Sequence, residues 1–206
     1  MSEPIYTRWQ TGGWRGWIDL AARVDPAACL QATAVGGRRS RHAWTNRLVA
    51  GASAVYVKAY PAPDGWRATH AFRMGRRLAR AGFAAPLAVL VARRGGGGLL
   101  VTRDVGGDDV AAAMARRRGD LAAKRALLRR LGDAVGRLHA AGFVHGDLVP
   151  PNVHLAAERL VFLDNDRTRH SRVLVWFGGR RNLVQLGRFV VPGVTLTDRA
   201  RVLAAY

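Results

Sequence analysis

The sequence predicts an α+β protein in which a small β-rich half precedes a mainly helical half. The chain has 206 residues, which allows one domain or two small lobes that share a cleft. Residues 54–60 alternate in polarity and are rich in β-formers, which is typical of a strand. In residues 121–141, leucine and valine recur at the spacing of an amphipathic helix. Hydrophobic residues make up 49% of the chain, enough to bury a core in each half.

The first half is predicted to be a sheet with one helix, preceded by an N-terminal extension over residues 1–29 that is rich in tryptophan. Strand-like stretches follow at residues 30–35, 44–49 and 54–60. Residues 68–81 predict a helix that ends at Gly82. Residues 87–92 and 99–102 predict two strands that flank the glycines of residues 95–98, as in a hairpin.

The second half is predicted to be mainly helical. Asp108 or Asp109 can cap a short helix through Met114, and the helix of residues 121–141 ends before Gly142. Residues 143–155 contain two consecutive prolines, which exclude a helix interior or a central strand and indicate a loop. Residues 160–163 then predict a short strand that leads into Asp164.

The charge is large and unevenly composed. Lys and Arg number 33 against 14 Asp and Glu, a net charge of +19 that favours anionic partners such as nucleic acid, anionic lipid or phosphorylated sugars. Lysine occurs at positions 58 and 124 alone, and glutamate at positions 3 and 158 alone. A single cysteine, Cys29, cannot form an internal disulfide and indicates a reducing compartment. No signal peptide is expected, and the longest apolar run is far shorter than a membrane span.

The strongest functional pattern is His145-Gly-Asp147, followed by Asn152 and Asp164. Phosphoryl transfer uses these residue types: a carboxylate that accepts the proton of a substrate hydroxyl, and an Asn and an Asp that hold Mg²⁺ against the phosphates. The context adds specificity, because a long amphipathic helix precedes the loop and a short strand ends at Asp164. The same chemistry needs a strand lysine far upstream, and Lys58 lies in such a strand in a chain that uses arginine for 31 of its 33 basic residues.

Together these stretches resemble the protein-kinase-like superfamily and, within it, the bacterial lipopolysaccharide kinases that phosphorylate Kdo or heptose. The similarity runs from about residue 30 to the end. The stretches that carry it are residues 55–60, 78–86, 143–155, 163–167 and 181–188, with 203–206 at the end. The resemblance implies a two-lobed protein-kinase-like fold, with an N-lobe at residues 30–104 and a C-lobe at residues 105–206.

The resemblance also implies roles for individual residues. Asp147 is expected to be the catalytic base, His145 to support its loop, and Lys58 to bind the phosphates of ATP. Asn152 and Asp164 are expected to bind magnesium. Four more residues are expected to contact the nucleotide, as a phosphate-covering turn and a hinge facing adenine: Gly36, Gly37, Thr102 and Asp104.

Two positions depart from the family pattern. The family has a glutamate in the helix after the lysine strand, where it holds the lysine, and the corresponding residue here is Ala71. An aromatic residue is usual after the metal-binding Asp, and here it is Asn165. A nucleotide-binding scaffold without turnover is therefore a second hypothesis.

Other functions have weaker support from the same residues. No Gly-Lys-Ser/Thr, G-x-S-x-G or H-E-x-x-H motif is present, and nothing accompanies the arginine runs that is typical of a nucleic-acid-binding domain. Another small-molecule phosphotransferase, of the aminoglycoside type, stays open, and a basic nucleic-acid-binding protein stays open as a less favoured alternative. Because 42 residues follow Asp164, a sugar or glycolipid acceptor is favoured over a protein. The expected protein is a cytoplasmic monomer, peripheral on the anionic cytoplasmic face of the inner membrane.

Overall fold

The structure is a computed structural model, and it describes residues 4–33, 37–50 and 53–206. The chain divides into two compact units. The first holds the described residues of Met1–Arg77 and of Pro86–Asp104, and the second holds Leu78–Ala85 and Val105–Tyr206. Within the described ranges, no helix combines the length and the apolar character needed to cross a bilayer.

The first unit is built around an antiparallel sheet. Along the chain its elements are β1 (Tyr6–Thr11), β2 (Trp14–Asp19), α1 (Pro26–Ala32), β3 (Arg38–Arg39), β4 (Trp44–Ala50), β5 (Ser53–Tyr60), α2 (Trp66–Arg80), β6 (Ala88–Arg94) and β7 (Gly97–Arg103). In the described part, the strand order is β1-β2-β6-β7-β5-β4-β3. The strand β5 therefore lies inside the sheet, paired with β4 and β7.

Two predictions in this unit were wrong. Residues 30–35 were predicted to be extended, but the helix α1 occupies Pro26–Ala32. The reason is local: the Asp25 carboxylate accepts from the backbone N–H groups of Ala27 and Ala28, and Pro26 has the φ angle of a first helical residue. Ala34 and Val35, at the end of that stretch, lie outside the described residues.

The N-terminal segment is part of the sheet, whereas the sequence predicted an extension apart from it. The strands β1 and β2 form a hairpin, and β2 pairs with β6. Gly12 and Gly13 both have positive φ, as a two-residue hairpin turn requires, so Gly12-Gly13 was the signal that could have identified the hairpin. Trp9 and Trp14 pack against the buried cluster that contains Ile18 and Leu90.

The second unit is mainly helical. Its elements are β8 (Asp108–Asp109), α3 (Val110–Arg116), α4 (Leu121–Ala140), β9 (Phe143–Val144), β10 (Val153–Ala156), β11 (Arg159–Phe162), β12 (Arg169–His170), α5 (Arg172–Gly187) and α6 (Leu196–Ala205). Asp109 caps α3 and Asp120 caps α4 through bonds to backbone N–H groups. The core lies under α4, whose Leu127, Leu131 and Leu138 are almost fully buried.

One charged pair is buried within this unit. The Lys124 Nζ donates to Asp198 Oδ2 and to the carbonyl of Gly193, each at 2.6 Å. Burial opposes ionisation of the Asp198 carboxyl, but hydrogen bonds from Lys124 and Thr195 outweigh it, so that its pKa falls to about 2. The pair therefore joins α4 to α6.

Candidate active site

The loop that carries the predicted base is fixed at both ends by short strands. It leaves β9, which pairs with β12, and enters β10, which pairs with β11 and β8. Between them, Pro150–Asn152 form one turn of 3-10 helix. Pro150 occupies the first position of that turn, where its missing N–H group costs nothing.

Asp147 and Asn152 lie side by side in this loop. The Asn152 Nδ2 group donates to the Asp147 carbonyl at 2.9 Å and approaches the Asp147 Oδ2 at 3.4 Å. The amide nitrogen of Asn152 thus faces Asp147, which leaves the amide oxygen on the opposite side of the group. Asn152 therefore holds Asp147 in place and still presents an oxygen ligand.

His145 joins this loop to the segment that contains Asp164. Its side chain is 1% exposed. The Nδ1 atom accepts from the Asp147 N–H at 3.2 Å, so the proton lies on Nε2, which donates to the Leu163 carbonyl at 2.7 Å. Burial lowers the pKa of His145, which favours the neutral ring that this pattern needs. His145 is thus a positioning residue between Asp147 and Leu163.

Asp164 follows β11 in a conformation that is uncommon for a residue with a side chain. Its φ and ψ angles are 56° and 55°, in the left-handed region. The preceding residue is fixed twice, because the Leu163 N–H donates to the Asn152 carbonyl at 2.8 Å and the Leu163 carbonyl accepts from His145. These hydrogen bonds fix the position of the Asp164 backbone relative to Asn152.

Asn165 takes a structural role where the family pattern has an aromatic residue. Its Nδ2 group donates to the Phe162 carbonyl at 2.8 Å, and its Oδ1 accepts from the Thr168 hydroxyl at 3.1 Å. Both side chains are buried. The polar pair closes the turn after Asp164 through hydrogen bonds rather than ring packing.

Asn182, on α5, is a site residue to which the sequence assigned no role. Its Oδ1 accepts from the His145 backbone N–H at 2.9 Å, and its Nδ2 donates to the His145 carbonyl at 2.6 Å and to Gln185 Oε1 at 3.0 Å. The same Oδ1 lies 3.1 Å from Nε2 of His139, whose Nδ1 lies 2.8 Å from the Tyr206 hydroxyl. The signal in the sequence was a polar residue, Asn182, at a helix position whose spacing predicts burial.

The oxygen ligands of this unit suit magnesium. Mg²⁺ is commonly held by one or two carboxylates together with substrate phosphates and water. Asn152 supplies an amide oxygen, and Asp164 supplies a carboxylate. Among the described residues, no group of three His, Cys, Asp or Glu side chains has the arrangement of a metal site. An Asn and an Asp are residue types that could hold such an ion together with phosphate oxygens.

The remaining predicted site residues belong to the first unit. Lys58 is half-buried on β5, opposite Leu100 and Thr45, with its Nζ 5.3 Å from the centre of the Tyr60 ring. Thr102, on β7, lies opposite Tyr56. The structure thus brings His145, Asp147, Asn152 and Asp164 together in one unit and places Lys58 in the other.

Asp104 and Gly37 have structural partners in the first unit. The Asp104 carboxylate accepts from Arg47 Nε at 2.9 Å, and its N–H donates to the Ala54 carbonyl. A Cβ on Gly37 would lie 2.8 Å from the Thr45 carbonyl oxygen, so close packing requires glycine there. Gly36, its predicted partner, lies outside the described residues.

No carboxylate from α2 can hold Lys58. The helix contains five arginines and no Asp or Glu. Ala71, at the position of the family's glutamate, is buried in a cluster that includes Tyr60 and Phe72. The structure therefore gives the missing glutamate no substitute within this helix.

Three comparisons relate the chain to known proteins. The model of the lipopolysaccharide kinase (Kdo/WaaP) family matches residues 55–206. An aminoglycoside-3'-phosphotransferase of type VIII has a similar crystal structure, with a TM-score of 0.55 and 20% identity, covering 83% of each chain. At this identity the likeness shows the fold alone, and it confirms the predicted two-lobed kinase-like class.

Curated sequences give shorter matches. Probable bifunctional tRNA threonylcarbamoyladenosine biosynthesis proteins are 55% identical over 38 residues in Methanosarcina barkeri and 44% identical over 45 residues in Methanothermobacter thermautotrophicus. These matches cover 18% and 22% of this chain and 7% and 8% of those proteins. The chain thus matches a small part of these relatives, and the match describes a local segment.

Proposed function

The chain belongs to the lipopolysaccharide kinase (Kdo/WaaP) family and is a phosphotransferase, and we propose that it transfers the γ-phosphoryl group of ATP to a sugar hydroxyl of the lipopolysaccharide inner core. The observation that supports the proposal is the hydrogen-bonded set of His145, Asp147, Asn152 and Leu163, which holds the proposed base and one proposed magnesium ligand next to the residue that precedes Asp164. Such a set supplies positioning and charge neutralisation, which are the main needs of phosphoryl transfer.

In this mechanism Asp147 accepts the proton of the sugar hydroxyl as its oxygen forms a bond to the γ-phosphorus. The bond between that phosphorus and the β–γ bridging oxygen breaks, and ADP leaves with the electron pair. Asn152 holds the Asp147 backbone and carboxylate in place during the transfer. His145 stays neutral, because its Nδ1 accepts from the Asp147 N–H.

The nucleotide and the metal are assigned by residue type. Lys58 would contact the phosphates of ATP, and Gly37, Thr102 and Asp104 would lie near the nucleotide. Asn152 and Asp164 would hold Mg²⁺, which when bound neutralises charge on the phosphate oxygens.

A small acceptor is favoured by the segment after Asp164. Residues 165–171 are all that separate Asp164 from α5, and Asn165–Arg167 of these form a turn of 3-10 helix. Protein kinases have a long activation loop after the corresponding Asp, and ordering of that loop controls their activity. The short link supports a sugar acceptor, which we place on a lipopolysaccharide at the cytoplasmic face of the inner membrane.

The proposal is tested by the substitution Asp147→Asn. Loss of the base is expected to lower phosphoryl transfer by about a hundredfold to ten-thousandfold, while ATP binding is retained. Asp133→Asn removes an exposed carboxylate from α4 and serves as the matched control. Turnover by Asp147→Asn equal to that of the control would contradict the assignment.

The acceptor is tested with a panel of purified substrates and radiolabelled ATP. Inner-core lipopolysaccharide bearing Kdo or heptose is expected to be labelled, and an aminoglycoside and a peptide are expected to remain unlabelled. Labelling of the aminoglycoside alone would retain the phosphotransferase and reject the proposed sugar.

A nucleotide-binding scaffold without turnover is the second candidate, and the acid-free helix α2 favours it. That function predicts that ATP raises the Tm of the protein, while no acceptor in the panel is labelled and Asp147→Asn changes neither result. The labelling of an acceptor therefore distinguishes the two candidates.

A further inference from the structure

The helix α5 has an unusual distribution of side chains. Its fully buried positions are Gly179, Asn182 and Gln185, which recur every third residue and are small or polar. Its opposite face carries apolar side chains that are largely exposed: Val173 at 73%, Phe177 at 73% and Val184 at 66%. A surface helix of a soluble protein normally has the reverse arrangement.

The inward face is explained by the candidate active site. Asn182 holds the backbone of His145, and Gln185 accepts a hydrogen bond from Asn182. Gly178 and Gly179 allow the close approach, since added Cβ atoms would lie 2.7 Å from Val144 Cγ1 and 3.3 Å from His139 Nδ1. The buried positions therefore have to be polar or small, which does not explain the apolar residues on the outside.

The outward face is continuous along the helix. Val173, Phe177, Arg180 and Val184 follow the i, i+4, i+7 and i+11 spacing, which places them in one stripe. Trp176, 80% exposed, lies beside the stripe. The exposed apolar side chains do not contribute to the core, so the stripe is a surface that a partner would cover.

The charges around the stripe are of one sign. Arg172, Arg180, Arg181 and Arg188 are exposed on α5 or at its end. From Arg167 to Thr197 the chain contains six arginines and neither Asp nor Glu. An apolar face that contains Trp and Phe and is flanked by arginine is typical of helices that lie in the interface of an anionic bilayer.

We propose that this face, formed by Val173, Trp176, Phe177, Arg180, Arg181 and Val184, docks the protein on an anionic lipid bilayer. The apolar side chains enter the boundary between headgroups and acyl chains, and the arginines contact lipid phosphates. A second copy of the chain fits less well, because its arginines would repel those of the first. A nucleic acid offers phosphates but leaves the apolar stripe exposed.

The test is co-sedimentation with lipid vesicles in the absence of ATP and acceptor. The wild-type protein is expected to sediment with vesicles of phosphatidylcholine and phosphatidylglycerol, to bind less at high salt, and to stay in solution with phosphatidylcholine alone. The double variant Trp176→Ser, Phe177→Ser is expected to bind at least about tenfold more weakly. Trp66→Ser, which changes a tryptophan of α2 that is 48% exposed, is the control and is expected to bind like the wild type.

A second pair of variants tests the charge separately. Arg180→Gln, Arg181→Gln is expected to weaken binding by about tenfold. Arg125→Gln, Arg129→Gln removes the same charge from exposed positions of α4 and is expected to have a much smaller effect. If the two variants lost vesicle binding equally, the effect would come from net charge alone, and the assignment of the docking face to α5 would be wrong.

Three further results would overturn the proposal. The first is a wild-type protein that does not bind anionic vesicles, and the second is a Trp176→Ser, Phe177→Ser variant that binds them as tightly as the wild type. The third is self-association of the wild type that these substitutions abolish. Retained turnover of Trp176→Ser, Phe177→Ser on a water-soluble core oligosaccharide would support it. Because vesicle binding needs no catalysis, its result is independent of the proposed sugar kinase activity.

Discussion

Gly146 lies between His145 and Asp147, where the backbone leaves no room for a side chain. A Cβ at this position would overlap the Cβ of Arg167 and would lie 2.6 Å from the Arg167 carbonyl carbon. The residues on both sides are fixed by hydrogen bonds, so the loop cannot shift without moving them. Glycine is therefore required here by contact with the segment after Asp164.

The substitution Gly146→Ala tests that contact. It is expected to lower the free energy of unfolding by about 1–3 kcal/mol, as other overpacked substitutions do, and to lower turnover by displacing Asp147. The measurements are urea unfolding and phosphoryl transfer. Gly119→Ala, at a glycine with nothing within 4 Å, is the control and is expected to retain both. An unchanged Gly146→Ala protein would contradict the packing described here.

The sequence identified the residues whose signals are local. His145, Asp147, Asn152 and Asp164 could be predicted because one short stretch holds them in a recognisable spacing. Asn182 could not be assigned a role in the same way, since its partner His145 lies 37 residues away and meets it through the packing of α5 on β9. Spacing along the chain contains no information about that approach.

At the scale of elements, α5 supports the loop that contains Asp147 through one side chain. Asn182 satisfies both the N–H and the C=O group of His145. Buried backbone groups that lose a partner destabilise a protein by about 1–3 kcal/mol, because water cannot replace the bond. The loop therefore depends on a helix that follows it in the chain.

We expect Asn182→Ala to lower the free energy of unfolding by about 1–3 kcal/mol and to reduce turnover more than ATP binding. Asn182→Asp keeps an acceptor for the His145 N–H but cannot donate to the carbonyl, so it is also expected to be impaired. Val184→Ala, at an exposed position of the same helix, is expected to be near the wild type in urea unfolding. Equal stability of Asn182→Ala and Val184→Ala would disprove the supporting role.

The elements that the sequence predicted well were those with a repeating pattern. The strand β5, the helices α2 and α4 and the hairpin of β6 and β7 match their predicted positions within a few residues. The errors fell where a local signal outweighed composition: Asp25-Pro26 began a helix in place of a strand, and Gly12-Gly13 made a hairpin in an assumed extension. Capping and turn residues decided these segments.

At the scale of the molecule, the two lysines have different tasks. Lys58 is half-buried on the interior strand β5, whereas Lys124 is buried and bonded to Asp198 and Gly193. Removal of one partner from a buried ion pair is strongly destabilising because the other charge is left in the interior. The rarity of lysine thus marked one candidate functional residue and one structural residue.

Acid is expected to destabilise the whole molecule. Burial lowers the pKa of His139 and of His145, and hydrogen bonds lower those of Asp64, Glu158 and Asp198. Each of these groups binds a proton less readily in the folded state than in the unfolded chain, so the stability that they provide is lost as the pH falls. The stability that the two histidines provide declines as the pH falls below 6.5, the ordinary pKa of imidazole. The stability that Asp198 provides declines as the pH falls from 3.8 towards about 2.

Urea unfolding at a series of pH values measures this loss. The free energy of unfolding of the wild type is expected to decrease steadily below pH 6.5, and His139→Gln is expected to show a smaller decrease in the same range. Val184→Ala, at an exposed position that carries no titrating group, is the control and is expected to show the slope of the wild type. A wild-type stability that rises on acidification would reverse the sign and refute the prediction.

The acid-free helix α2 has a consequence for regulation. In protein kinases the strand lysine is paired with a glutamate of the following helix, and movement of that helix switches the enzyme on and off by making or breaking the pair. Here α2 offers Ala71 and no carboxylate, so its displacement has no such pair with Lys58 to break. A movement of α2 would therefore act on Lys58 by some route other than a Lys–Glu pair within this unit.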